Sequence, residues 1–233
     1  MTLTNGSWAD AGYDATFSAV SISNANTRSI DLNSTWTLTG TGTVWNAADT
    51  TNLTFAANNS IIKLTNTSGS SKTFAGGGLT YYNVWIDTGA GVGSDNIITG
   101  SNNYNQFRAD GGIILAWTSG TTNTAQDWDI SGFALNLNTL KRQGASAYTL
   151  AKAANVTTIA KIFQTPIANV AKVNQYAQPP VVNLDYMDVS DCTGSPASTW
   201  FAGANSVNSG GNTNWTFAAS TDPGLEKVFQ YDN

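Results

Sequence analysis

Gly78-Leu79-Thr80-Tyr81-Tyr82-Asn83 is answered 22 residues later by Gly100-Ser101-Asn102-Asn103-Tyr104-Asn105, with Gly, Tyr and Asn each displaced by the same interval. The interval also runs backward, from Val84 and Ile86 to Ile62 and Leu64, and forward two steps to Trp128 and Ile130. Short apolar alternations between Gly/Asn corners, at a period in the low twenties, are what one coil of a β-solenoid requires. The predicted fold class is therefore all-β, a parallel β-helix of short strands with coils of about 22 residues. An antiparallel β-sandwich or jelly roll is the alternative arrangement of the same strand pattern.

Working outward from that echo, residues 36–150 read as a procession of brief strands. They are Thr35–Thr39, Val44–Trp45, Leu53–Phe55, Ile61–Leu64, Val84–Ile86, Ile97–Ile98, Ile113–Trp117, Trp128–Ile130, Leu135–Leu137 and Tyr148–Leu150. Gly, Asn, Ser or Asp separates them, supplying left-handed conformations and side-chain-to-backbone turns. Alternation nominates an inward face: Trp36 and Leu38, Leu53 and Phe55, Ile62 and Leu64, Val84 and Ile86, Ile113 and Leu115, Trp128 and Ile130. Stacking at about 4.8 Å, roughly ten coils make a rod near 50 Å long. Asn83 and Asn105 read first as turn residues, with a side-chain amide bond between them up the stack as the competing reading.

Residues 1–35 read as an N-terminal cap or arm and 36–150 as the solenoid body. Residues 151–180 depart from this pattern, because Ile159, Ile162, Phe163 and Ile167 have nearly helical spacing, which Pro166 ends. That segment is expected to be an insertion. Residues 181–220 supply closing strands, and 221–233 a tail.

Charged residues are only 11% of the chain against 41% hydrophobic, with eight Trp, a composition that folds. A net charge of −5, with seven Lys and three Arg scattered, disfavours nucleic acid. Cys192 is the sole cysteine, so no intrachain disulfide forms, and it is expected as a small buried residue. Residues 1–20 lack the basic and apolar regions of a secretory signal, and no stretch approaches the roughly 20 apolar residues of a membrane span. Synthesis in a host cytoplasm with release by lysis suits these features.

The span Thr41–Phe107 carries a resemblance. Gly42-Thr43-Val44-Trp45-Asn46, Ile61-Ile62-Lys63-Leu64-Thr65, Lys72-Thr73-Phe74-Ala75-Gly76-Gly77-Gly78, Tyr82-Asn83 and Ile98-Thr99-Gly100-Ser101-Asn102-Asn103-Tyr104-Asn105 follow in order. The end adds Thr199-Trp200-Phe201-Ala202-Gly203-Ala204-Asn205-Ser206 and Gly210-Gly211-Asn212-Thr213-Asn214-Trp215-Thr216-Phe217. This series resembles β-helix-repeat virion proteins of bacteriophages and metagenomic viruses, tail-fibre-like or hypothetical structural proteins. The resemblance covers about half of the chain and implies a virion component. It carries no catalytic motif across, and residues 151–180 depart from it.

The absence of histidine excludes Ser–His–Asp and Cys–His nucleophile systems, and one cysteine excludes thiolate zinc sites. Carboxylate pairs remain, since glycan hydrolysis needs two acids flanking one sugar bond. The candidates are Asp127 and Asp129 beside Trp128, and Asp185, Asp188 and Asp191; solvated strand ends are the competing reading. No Asp-x-Asp-x-Asp-Gly calcium loop is present. Gly76-Gly77-Gly78 lacks the Lys-Ser/Thr of a phosphate loop and reads as a tight corner. Thr37, Thr39, Thr41 and Thr43 read as one solvated strand face.

No catalytic, cofactor or metal residues are assigned. Tyr81, Tyr82, Trp85, Tyr104 and Trp117 are the candidates for a subunit interface or glycan contact, with core packing as the competing reading. The expected function is that of a non-enzymatic virion surface structural protein, as capsid decoration or short fibre. The alternative is a receptor-binding tail fibre or spike that engages host surface glycans. Expected partners are a second and third copy of the chain in a homotrimer, other virion proteins and a host glycan, but no nucleic acid and no membrane. The expected location is the virion surface.

Overall fold

The computed structural model describes residues 1–89, 93–153 and 181–218, and among them the protein is all-β with no helix. The first strands come in threes: β1 (Gly6–Ala9), β2 (Ala15–Phe17) and β3 (Val20–Ser21), then β4 (Arg28–Asp31), β5 (Thr35–Leu38) and β6 (Gly42–Asn46), then β7 (Leu53–Ala56), β8 (Ile61–Leu64) and β9 (Lys72–Ala75). Three pairs follow: β10 (Thr80–Ile86) with β11 (Asp95–Thr99), β12 (Asn103–Ala109) with β13 (Ile114–Thr118), and β14 (Thr122–Asp129) with β15 (Asn138–Gln143). The described chain closes with β16 (Tyr148–Lys152), β17 (Val182–Asn183), β18 (Met187–Ser190), β19 (Cys192–Ser195), β20 (Trp200–Phe201), β21 (Val207–Gly210) and β22 (Trp215–Thr216).

These strands form four sheets. A front sheet runs β2-β5-β8-β10-β12-β14-β16-β19 and a back sheet runs β3-β6-β9-β11-β13-β15-β18-β21. Two three-stranded sheets, β1-β4-β7 and β17-β20-β22, take in the early and late strands. The chain alternates between front and back throughout, and each strand lies beside the one laid down a pass earlier. Every pairing between these strands is parallel. The antiparallel sandwich or jelly roll is thereby overturned; one isolated antiparallel bridge, Phe133 with Asn136, sits in a turn. The physical reason is the length of the returns. Antiparallel neighbours can be joined by a short hairpin, whereas here a whole pass of chain separates each strand from its neighbour.

The fixed interval of the sequence is an approximation. Val84 pairs back with Ile62, but its forward partner is Phe107, one place later than a constant step would give. Phe107 in turn pairs with Trp128, one place earlier than that step. Thr37 and Lys63 lie farther apart along the chain than any of these pairs, and Tyr148 and Cys192 farther still. The echo of Tyr82 in Tyr104 is therefore out of register by one position: Tyr104 lies beside Tyr81. A slip of that size exchanges faces. Tyr81 and Tyr104 both point inward, while Tyr82 is half-buried on the outside.

Other expectations are corrected. Leu135–Leu137 is no strand; Leu135 is fully exposed in the turn before β15, at φ 68°. Leu53 and Phe55 are only partly buried. Thr37 belongs to β5 in the front sheet and Thr43 to β6 in the back sheet, while Thr39 and Thr41 lie in the corner between them, so the four threonines share no strand face. Instead of about ten coils, each large sheet holds eight strands, about 34 Å across at about 4.8 Å per step. Residues 1–35, read as short strands of a cap or arm, do hold strands, and these are the first of three of the four sheets. Beyond β16, the body of the expected insertion lies outside the described residues, with Ile159, Ile162, Phe163, Pro166 and Ile167, as does the tail.

The interior between the sheets holds Trp36, Trp45, Tyr81, Val84, Tyr104, Phe107, Trp117, Trp128, Tyr148 and Trp200. Aromatic rings form one unbroken series through it: Trp8–Trp36–Trp45–Tyr81–Tyr104–Trp128–Trp200–Trp215–Phe217, with centroids 4.7–6.5 Å apart. Edge-to-face and offset pairs at such distances each add about 0.5–1.5 kcal/mol beyond their buried area. Cys192 is completely buried in the same core, as expected, and burial pushes its thiol up to about 12.

Two buried polar side chains, Arg28 and Asn102, are held by several hydrogen bonds each. Arg28 donates to the carbonyls of Ile22, Asn26, Asp49 and Thr51, joining two successive passes. Asn102 donates to the Asn123 side chain at 3.1 Å and accepts from the Gly78 N–H at 3.0 Å, forming an internal amide ladder. The Gly76-Gly77-Gly78 corner is shaped around this contact. A Cβ on Gly76 would strike the Asn102 amide, and one on Gly77, at φ 66°, the Ala47 carbonyl.

Candidate functional site

Strict alternation would carry a strand from one sheet face to the other at each residue, yet β10 breaks it. Tyr81 and Val84 point inward, and the two residues between them both face outward. β12 repeats the break at Asn105-Gln106 and β14 at Gln126-Asp127. The Tyr82, Asn105 and Gln126 positions form no bridge in either ladder, although the offset between strands is the same on both sides of them. Each strand therefore bends there, and because neighbours bend together the sheet acquires a crease that runs across the strands.

The crease forms a groove of about 600 Å³ whose lining includes Phe55, Asn58, Thr80, Tyr82, Asn103, Asn105, Thr124, Gln126 and Ala153. Among the described residues, none that lines it is charged. Thr80, Asn103 and Thr124 are successive register partners and form one row along its wall. Tyr82, Asn105 and Gln126 form a second row at the bends. Asn105 donates to Asn83 at 3.0 Å, the side-chain bond that the sequence offered as the lesser alternative to a plain turn role. Gln106 donates to Asp127 at 2.7 Å just outside the crease.

Of the five nominated aromatics, three are withdrawn as contact residues because they lie in the interior. Trp117 is 0% exposed, Tyr81 2% and Tyr104 3%. The Tyr81 hydroxyl donates to the Gly76 carbonyl at 2.8 Å and accepts from the Trp45 N–H at 3.0 Å. That of Tyr104 donates to Asn123 at 3.1 Å. Burial pushes both phenols well above their ordinary range.

Trp85 stands on the outer face but is already occupied. Lys63 and Arg108, its two register partners, place their cations over its ring at 3.7 and 4.2 Å from the centroid. Lys63 also pairs with Asp87 at 2.8 Å and Arg108 with Asp110 at 3.3 Å. Burial, together with the Asp87 carboxyl, raises the pKa of Asp110, against the Trp85 N–H and Arg108, which oppose the shift. A sugar stacking on the Trp85 ring would compete with these two cations. Of the five, Tyr82 alone lines the groove with a half-exposed ring, while Tyr81 and Tyr104 close its floor from the interior.

The carboxylates weighed as acids are dispersed among structural bonds. Asp127 and Asp129 are exposed on one face of β14, with Trp128 inward between them. Asp127 accepts from Gln106, and Asp129 lies 3.6 Å from Arg108. Asp185 accepts from Tyr186 and Asn205, Asp188 from Ser209, and Asp191 pairs with Arg142 at 3.3 Å. Among the described residues no group of three acidic, His or Cys side chains is placed to hold a metal ion.

Thr80, Asn103, Thr124 and Gln126 were not among the nominated residues. They are small or polar types common in this sequence, and only the uneven register of β10, β12 and β14 brings them into rows. No protein-family model, curated protein or solved structure matches the chain.

Proposed function

We propose that the chain is a parallel β-helix, a solenoid in which successive windings stack, serving as a non-enzymatic structural protein on a bacteriophage virion surface. In this role it decorates the capsid or forms a short fibre. The observation that carries the reading is the alternation of the chain between front and back sheets, with eight strands of each running in one direction. Such a stack converts sequence length directly into height, and each winding supports only its neighbours. Stiffness comes from backbone ladders and the continuous aromatic interior, with no disulfide to be reduced in the host cytoplasm.

The engagement of each weighed carboxylate in a structural bond agrees with a role that needs no chemistry. A surface of amides and hydroxyls with few charges suits exposure outside the cell. Partners under this reading are two further copies of the chain in a homotrimer and neighbouring virion proteins. Electron microscopy of virions labelled with antibody against the chain tests the assignment. Label on the head or along a short fibre is expected; purified virions free of label would refute it. Label confined to the tail tip would favour a receptor-binding spike instead. Sedimentation at micromolar concentration is expected to give a trimer, and a monomer would remove that part of the proposal.

A further inference from the structure

The crease across β10, β12 and β14 has a composition that selects its occupant. Its lining carries amides, hydroxyls and aromatic carbon, and among the described residues no charge. Asn105 is bonded to Asn83, and Asn58 to Asp31 and Leu32. The side chains of Thr80, Tyr82, Asn103, Thr124 and Gln126 make no hydrogen bond among the described residues. They sit on strands fixed by register on both sides, so binding orders only side chains and not backbone.

We propose that this groove binds an extended, uncharged oligosaccharide that runs across the strands. Three features point there. Groups that both donate and accept match sugar hydroxyls, which do the same. Tyr82 offers an aromatic surface with a polar tip, the combination suited to the apolar face and hydroxyl rim of a pyranose. The rows repeat at the strand spacing of about 4.8 Å, close to the rise of one sugar unit, so successive sugars meet successive rungs. A polyanion finds no cation in the described lining, and about 600 Å³ is the volume of an ordinary small-ligand cleft. The inference stands on the groove alone and holds whether or not the chain belongs to a virion.

Calorimetric titration of the full chain with cellohexaose, maltohexaose, chitohexaose and an alginate hexamer tests it. At least one of the three neutral hexamers is expected to bind. Tyr82→Ala is expected to weaken that binding about tenfold and Gln126→Ala about threefold, while Tyr82→Phe stays within about threefold of the parent. Near-ultraviolet circular dichroism is expected to be unchanged in all three variants, since neither side chain belongs to the buried core. Binding of alginate alone, no neutral binding up to millimolar concentration, or neutral binding indifferent to Tyr82→Ala in a folded variant would each overturn the proposal.

Discussion

Asp10 illustrates how single residues lock one pass of the chain to the next. Its carboxylate accepts from Gly12 N–H, Asn33 N–H, Ser34 N–H and hydroxyl, and the Trp36 indole, at 2.7–3.1 Å. Burial alone would raise its pKa, but these bonds outweigh it and hold it down at about 2, against an ordinary 3.8. The folded value is the lower one. The stabilisation, about 2 kcal/mol, is therefore complete above pH 3.8 and lost as pH falls through 2. Urea midpoints measured from pH 6 to pH 2 are expected to fall steeply in the parent and less steeply in Asp10→Asn, which starts lower. Gly77→Ala forces a Cβ onto the Ala47 carbonyl at a left-handed φ, and an equilibrium urea unfolding curve is expected to show a loss of about 2 kcal/mol or more. Cys192, buried and with its thiol pushed up to about 12, is expected to resist a thiol reagent in buffer and react stoichiometrically in denaturant.

At the scale of elements, the bends in β10, β12 and β14 decide which face each tyrosine takes. Tyr81→Ala removes a fully packed ring and strands the Trp45 N–H, at an expected cost of about 3–5 kcal/mol in urea unfolding. Tyr82→Ala, at the next position, is expected to cost about 1 kcal/mol or less. Equal costs would place the register elsewhere. Parallel short strands and most inward residues were legible in the sequence, because apolar alternation between Gly/Asn corners survives any drift in the spacing between neighbouring strands. The register at Tyr82 was not. Paired outward residues occur at each bend, and the step from Phe107 to Trp128 is shorter than those from Thr37 to Lys63 or Thr122 to Thr149. A fixed interval cannot follow both. β9 and β15 escaped notice because Lys72-Thr73-Phe74-Ala75 and Asn138-Thr139-Leu140-Lys141 bury polar groups at inward positions. Lys72 is 1% exposed, bonded to Ser68 and Ser94, and burial lowers its pKa.

At the scale of the molecule, the aromatic series from Trp8 to Phe217 takes in rings from early and late strands alike, so the interior is one continuous body. Seven of the eight tryptophans contribute to that interior network, and Trp85 stands outside it between its cations. The central claim is that windings lie directly over one another. Thr16, Thr37, Lys63, Trp85, Arg108 and Asp129 form one continuous register column on the front sheet. Spin labels at Thr16→Cys and Asp129→Cys, five strand steps apart, are expected to give one narrow distance of about 24 Å by pulsed electron resonance. Moving the first label to Thr37→Cys shortens it by about 5 Å. A broad or double distribution, or a distance indifferent to that shift of one strand, would contradict the stacked column.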